Sequence, residues 1–143
     1  REAALRSIVE ECVRRVDPAP RYAVPDTAAL GQVPNTRDEL ETFLRRLDQV
    51  SRAMAIAQTA YSKALQDHSE LDSRLEAYHA KATTKGVAEV ADVAQAYQLA
   101  RGALDERPSR MLLAQQLVAV YQTYLQTTPA PRAAHQATSA EEA

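Results

Sequence analysis

One uninterrupted stretch with a seven-residue repeat constrains the fold of this chain more than any other feature. Residues 36–82 contain no glycine and no proline, the two residues that most often break helices. The stretch therefore predicts a single helix of about 45 residues, roughly 65–70 Å long, which Gly86 can end by adopting a left-handed conformation. Its apolar seam consists of two sets at heptad spacing: Leu40, Leu47, Met54, Tyr61, His68, Leu75 and Ala82, and Phe43, Val50, Ala57, Ala64, Leu71 and Tyr78. Six heptads without a slip favour coiled-coil packing of this seam.

Composition extends the helical prediction to the rest of the chain. Alanine, leucine, glutamine, glutamate and arginine are frequent, whereas there are only three glycines, one phenylalanine and no tryptophan. These frequent residues lose little rotamer freedom in a helix. The fold class is therefore predicted to be all-α: an elongated antiparallel helical bundle or coiled-coil hairpin built on the long helix.

Prolines and glycines divide the chain into four parts. Residues 1–16 predict a short amphipathic helix, and residues 17–35 a proline-containing linker that packs on the helices through its apolar side chains. Residues 36–126 form the long helix and two shorter helices, expected over 87–106 and 109–126. Together these two helices would span about 57 Å, so we expect them to fold back along the long helix. Residues 127–143 are polar and small, which predicts a disordered tail or linker.

Charge and cysteine content exclude several classes of function. The formal net charge is −2 with both signs interspersed, so a basic surface for nucleic acid is not expected. No apolar run reaches the ~18 residues of a membrane span. Cys12, the single cysteine, lies at apolar helical spacing and is expected to be a small core residue. A chain that opens on Arg1 is expected to be a fragment or processed product, and its compartment stays open: it could belong to the extracytoplasmic or the cytoplasmic part of a membrane protein.

His68 is the one strongly polar residue on the predicted seam. Asp72, Glu76 and His79 follow it at helical spacing, and such a row could hold a transition metal if a second helix added a ligand. No second cluster of ligands is present in the shorter helices. We therefore interpret His68 as a polar seam residue that tolerates water and fixes helix register, with no metal and no cofactor, and a metal centre as the weaker alternative.

The sequence favours a protein-binding role over catalysis. Phosphate-binding glycine loops, serine nucleophile motifs and His-Glu-x-x-His are absent, so no enzymatic activity is predicted. We expect a helical scaffold or signalling module that binds another protein through helix faces, and a homodimer is also compatible with the pattern. The candidate anchors are Tyr22, Val24, Leu44 and Leu65. The alternative function is a small-ligand sensor with a pocket between helices near Ala57 and Ala64.

Residues 30–125 resemble a helical segment of actinobacterial signalling proteins. The resemblance rests on "LGQVPNTRDELETFLRRLDQVSRAMAIAQTAYSKALQDHSELDSRLEAYHAKA", followed by "AYQLARGALDERP" and "LVAVYQTYL". That family is associated with protein kinase G and the membrane protein GlnX. The resemblance implies a regulatory module that relays an amino-acid signal between an extracytoplasmic substrate-binding protein and a kinase pathway, and it implies no individual site residue.

Overall fold

The computed structural model describes residues 1–131, which contain four α-helices. The helices are α1 (Glu2–Arg15), α2 (Arg37–Lys85), α3 (Ala91–Asp105) and α4 (Met111–Thr127). Two-residue strands, β1 (Val16–Asp17) and β2 (Ser109–Arg110), and a 3-10 turn (Thr27–Leu30) complete the described elements. The predicted helical class and the predicted single long helix are confirmed. Most of the expected tail, residues 132–143, lies outside the described part of the chain.

The long helix α2 has 49 residues and ends where the sequence predicts it. Gly86 has a φ of 81°, in the left-handed region that glycine adopts without steric cost. The Val87 N–H donates to the Ala82 carbonyl oxygen at 3.0 Å, which is the bond that closes a Schellman-type helix end. At the other end, Asp38 and Glu39 lie in the first turn, where carboxylates interact favourably with the helix dipole.

The chain divides into two compact units, Arg1–Asp67 and His68–Ala143, with the boundary inside α2. The first unit contains α1, the connecting segment 18–36 and the first part of α2. Its buried side chains are Leu5, Cys12, Val16, Met54, Ala57 and Tyr61. The Tyr61 hydroxyl donates to the Tyr22 carbonyl oxygen at 3.0 Å and accepts from the Tyr22 N–H at 3.2 Å. The connecting segment is therefore fixed to α2 through its backbone.

The second unit contains the rest of α2 together with α3 and α4. Buried side chains come from all three helices: His68, Leu71, Leu75 and Ala82 from α2; Val93, Ala96, Ala100, Ala103 and Leu104 from α3; and Met111, Ala114, Val118, Tyr121 and Leu125 from α4. Most of the buried residues on α3 are alanines. Small side chains at such positions allow neighbouring helices to approach closely.

Both shorter helices begin later than the sequence predicts. Residues 87–90 form a turn in which the Val90 N–H donates to the Val87 carbonyl oxygen at 3.0 Å, so α3 starts at Ala91. Helix α4 starts at Met111, two residues after the predicted start, and Pro108 lies in the connection before it. The reason is that buried Ser109 donates its hydroxyl to the Ala103 carbonyl oxygen at 2.8 Å, which holds this connection against the end of α3.

Candidate interaction surfaces

The first turns of α2 carry an apolar stripe that the first unit leaves uncovered. Leu40, Leu44 and Leu47 are 38%, 52% and 42% exposed, and Phe43 between them is half-buried; we call these four residues the α2 stripe. The prediction that the whole heptad seam is buried is therefore wrong at Leu40 and Leu47, since burial starts only at Met54.

The position of α1 explains why the seam is open there. Arg1, at the start of the chain, donates to the Ser51 hydroxyl at 3.4 Å. The first residues of α1 line a cleft together with Leu47, Val50, Ser51 and Met54. Helix α1 therefore reaches α2 only near residue 50, and the preceding three turns have no helix against them within residues 1–67.

Charged residues lie on both sides of the α2 stripe. By helical spacing, Glu39 and Arg46 lie on one side, and Arg37, Glu41 and Asp48 lie on the other. Beside them, a groove of about 460 Å³ is lined by Phe43 and Thr42 of α2 and by Leu30 and Pro34 of the connecting segment. An apolar centre with a charged border is the usual anatomy of a protein-binding surface.

A second apolar surface lies on α3 and α4. Helix α4 has no charged residue between Met111 and Thr127. On its outer side Leu113, Val120 and Tyr124 are 39%, 45% and 39% exposed, and Leu99 of α3 is 54% exposed. Together with half-buried Leu117 these residues form what we call the α3–α4 face. Four of the five (Leu99, Leu117, Val120 and Tyr124) line a shallow groove of about 220 Å³.

Arg101 organises the main polar cluster of the second unit. Its guanidinium lies 2.5 Å from Asp72, 2.9 Å from Glu76 and 2.8 Å from Asp105. Burial lowers the pKa of Arg101, but hydrogen bonds with Asp105, Asp72 and Glu76 outweigh it and hold the pKa above its ordinary value. The two carboxylates of the predicted His68–His79 row are thus bound to an arginine. Among residues 1–131, no group of three or more histidine, cysteine, aspartate and glutamate side chains is arranged to hold a metal ion.

Three aromatic rings lie beside this cluster. The His79 ring stacks on the Tyr97 ring with centroids 4.1 Å apart, and the Tyr97 and Tyr121 rings are 5.7 Å apart. The Tyr97 hydroxyl donates to Glu76 at 2.9 Å. Burial, and then this bond to the carboxylate, raises the pKa of Tyr97; burial also raises the pKa of Tyr121. Among the tyrosines, Tyr61 of α2 and Tyr121 of α4 are buried, whereas Tyr124 of α4 is exposed.

His68 occupies the seam position that the heptad repeat assigns to it. Its side chain is 5% exposed, and its Nε2 lies 3.1 Å from the Leu104 carbonyl oxygen in the last turn of α3. Arg107 donates to the same oxygen at 2.8 Å. Sequence reasoning identified the histidine but missed the roles of Arg107 and Ser109 at this helix end. The only sequence signal was that "ERPSR" follows α3, because serine and arginine commonly satisfy the last carbonyl groups of a helix.

The four predicted anchor residues lie on different parts of the first unit. Tyr22 and Leu44 are 50% and 52% exposed, whereas Val24 and Leu65 are half-buried. Leu44 belongs to the α2 stripe. Leu65 lies 21 residues further along α2, a distance of about 32 Å, so Leu44 and Leu65 cannot contribute to one small patch.

The positions predicted to line a ligand pocket, Ala57 and Ala64, are buried and half-buried in the first unit. An open groove of about 590 Å³ lies instead in the second unit, between the ends of α2 and α4. Its lining is mainly apolar and includes Ala77, Ala80, Tyr78 and Leu125, with Lys81 and Lys85 also present. The Lys85 ammonium group donates to the Leu125 carbonyl oxygen at 2.9 Å.

No family model, curated protein or solved structure matches this chain. Within residues 1–131, no helix combines the length and the apolarity that crossing a bilayer requires.

Proposed function

We propose that this chain is a non-enzymatic helical interaction module whose α2 stripe binds an amphipathic helix of another protein. The observation that carries the proposal is the change in burial along a single heptad seam. Met54, Ala57 and Tyr61 are buried, whereas Leu40 and Leu47 on the same seam are exposed. A seam that keeps its apolar spacing beyond its internal partner is typical of a helix-binding surface.

The charges beside the stripe define the partner. Glu39 favours a basic residue on the bound helix, and Arg46 favours an acidic residue about two turns further on. The partner is thus a helix with apolar residues at i, i+3, i+4 and i+7 and with its positive end opposite the start of α2.

The remaining groups of this chain support binding rather than catalysis. Cys12 is fully buried, and burial raises the pKa of its thiol, which disfavours the nucleophilic thiolate. Asp72, Glu76 and Asp105 are all held in ion pairs with the Arg101 guanidinium. We infer that the second unit is an antiparallel arrangement in which α3 and α4 pack along the end of α2 and stiffen it. In the relay implied by the resemblance, the bound helix belongs to a substrate-binding protein or to a component of the kinase pathway.

The proposal is tested by site-specific photocrosslinking in cells that express the gene naturally. A photoreactive amino acid in place of Leu44 is expected to give an adduct of one defined mass. The matched control is the same amino acid in place of Arg45, the exposed neighbouring position, which turns about 100° away on the helix. It is expected to give no such adduct.

The identified partner is then purified and its affinity measured by calorimetry. Leu44→Asp and Leu40→Asp are each expected to weaken binding at least tenfold while the helical circular dichroism signal is unchanged. Equal crosslinking at positions 44 and 45, or an affinity that Leu44→Asp leaves unaltered, would refute the proposal.

A second candidate function rests on the groove between the ends of α2 and α4. Its volume of about 590 Å³ is within the range of small-ligand sites, and its apolar lining with two lysines suits an amphipathic carboxylate. Thermal unfolding with medium-chain carboxylates should show a rise in melting temperature that Leu125→Gln abolishes. An unchanged melting temperature in the wild-type protein would exclude this class of ligand.

A further inference from the structure

The α3–α4 face is an exposed apolar surface that is separate from the α2 stripe. It lies in the other unit, on helices that make no part of the proposed helix-binding site. Charged residues normally cover the outer side of a surface helix, yet α4 has none over its full length. Leu99, Val120 and Tyr124 are exposed on this face, and an apolar surface without charge resembles the centre of a protein interface, from which charged residues are depleted.

We propose that the α3–α4 face is a two-fold interface on which a second copy of this chain docks. The inference goes beyond the proposed function, because it concerns a different surface and a different partner. Leu113, Leu117, Val120 and Tyr124 follow one another at intervals of four, three and four residues. This order is the same in both directions. Antiparallel pairing of two α4 helices therefore places Leu117 against Val120 and Leu113 against Tyr124 of the second copy.

The lack of charge on α4 favours a second copy over an unrelated protein. When a surface pairs with itself around a two-fold axis, like charges near that axis meet and repel. On α4, the positions that border the apolar residues of this face are Gln116 and Thr123, both exposed. Antiparallel pairing places Gln116 of one copy beside Thr123 of the other, where an amide can donate to a hydroxyl oxygen.

Charges at the two ends of the face add to this complementarity. Asp92 lines the groove beside Tyr124, at the end of α4, and Arg110 directly precedes the start of α4. The same two-fold axis brings Asp92 of one copy towards Arg110 of the other. Arg110 is already paired with Glu106 at 3.1 Å, so this contribution is small.

The size of the face sets the expected strength. A helix of this length is about 25 Å long, and two packed helices are about 20 Å wide, so the footprint is about 500 Å² on each copy. A total of roughly 1,000 Å² lies at the lower limit for specific association and corresponds to a reversible dimer, with a Kd on the order of 10–100 µM.

Sedimentation equilibrium of the 143-residue chain tests the proposal. The wild-type protein is expected to shift from monomer to dimer with concentration, and Val120→Asp to weaken the dimer at least tenfold. Leu44→Asp, on the α2 stripe, is the matched control and is expected to leave the dimer unchanged. A protein that stays monomeric up to about 500 µM, or a dimer that Val120→Asp does not weaken, would overturn the inference.

Disulfide trapping tests the antiparallel geometry. In a Cys12→Ser background, the double variant Leu113→Cys/Tyr124→Cys should form a covalent dimer when diamide oxidises the thiols. Each single variant should stay monomeric, because two copies of one position would lie about 16 Å apart, beyond the reach of a disulfide. Efficient dimers from a single variant would show another pairing and contradict the proposed axis. Neither outcome affects the photocrosslinking test at Leu44, which concerns the α2 stripe and a different protein. The two proposals can therefore fail separately.

Discussion

The Nε2 atom of His68 lies 3.1 Å from the backbone carbonyl oxygen of Leu104. A carbonyl oxygen only accepts hydrogen bonds, so the imidazole carries its proton on Nε2 and donates it. Leu104 is in the last turn of α3, where carbonyl groups have no partner within the helix. The histidine on the seam of α2 thus satisfies the end of another helix.

Replacing His68 should destabilise the second unit. His68→Ala removes a buried ring and one hydrogen bond, with an expected loss of about 2–3 kcal/mol in the free energy of unfolding. His68→Gln should lose less, because the glutamine amide can also donate to the Leu104 carbonyl oxygen. Urea denaturation monitored by circular dichroism gives the values. Ser69→Ala, at the exposed neighbouring position, is the control; a loss below about 0.5 kcal/mol for His68→Ala would contradict this role.

Arg101 should be more important for stability than other arginines on these helices. Arg101→Met leaves Asp72, Glu76 and Asp105 without their shared cation. The expected loss, reduced for the 23% exposure of the arginine side chain, is about 1–2 kcal/mol. Arg101→Lys should recover only part of it, because an ammonium group cannot match the planar guanidinium fork. The loss is read from urea denaturation curves.

Arg74→Met provides the matched comparison for Arg101. Arg74 is exposed on α2, so its replacement should change the free energy of unfolding by less than about 0.5 kcal/mol. The difference between the two variants should also shrink in 1 M NaCl, since salt screens partly exposed ion pairs. If Arg101→Met and Arg74→Met changed the free energy of unfolding equally, the ion pairs of Arg101 with the three carboxylates would contribute nothing to stability.

The hydroxyl of Tyr61 should control the mobility of the connecting segment. Tyr61→Phe removes both hydrogen bonds to the Tyr22 backbone at a cost of about 1–2 kcal/mol. Because about 1.4 kcal/mol corresponds to a tenfold change in an equilibrium, trypsin should cleave after Arg21 roughly tenfold faster. Gel or mass analysis of the digest measures this rate. In Tyr78→Phe, which removes a hydroxyl with no hydrogen bond among residues 1–131, cleavage at Arg21 should proceed as in the wild type.

Glu2 should make the stability of the first unit dependent on pH. Hydrogen bonds from the Thr27 hydroxyl, from Arg6 and from the Thr27 N–H lower the pKa of Glu2 from 4.5 to about 2. A carboxyl group with a lowered pKa in the folded state stabilises the protein above its unfolded pKa, and the stabilisation is lost as the pH falls towards the folded pKa. The melting temperature of the wild type should therefore exceed that of Glu2→Gln at pH 6.

The quantity that tests the role of Glu2 is the difference in melting temperature between the wild type and Glu2→Gln. It should be constant above about pH 5 and should disappear between pH 4.5 and pH 2, as followed by thermal melts at several pH values. Replacing an exposed carboxyl group for which no hydrogen bond is present in residues 1–131, as in Glu10→Gln, corrects for the general effect of net charge. A wild-type advantage that persisted at pH 2 would show that Glu2 acts through packing instead.

The heptad repeat predicted α2 well, yet it misplaced part of the core. The repeat continues unchanged through Leu40 and Leu47, but α1 reaches α2 only near Ser51. Nothing in the spacing of the seam signals how far its partner extends. The same limit applies to the predicted metal row, since Asp72 and Glu76 bind Arg101, which is 25 or more residues away in the sequence.

The ends of the helices also differ in how far the sequence alone predicts them. Gly86 predicted the end of α2, because a left-handed residue is a local requirement that the residue type itself reveals. The late start of α4 depends on the bond from Ser109 to Ala103, which requires α3 to be in place.

The sequence by itself determined the helical class, the length of α2 and the position where it ends. These features follow from propensity, periodicity and backbone preference, which act over a few residues. Only the tertiary structure decided which seam residues are buried, what His68 and Arg101 bind, and which apolar surfaces remain open. Those outcomes depend on the element that lies opposite each side chain, and the free energy of such contacts comes from residues distant in the chain.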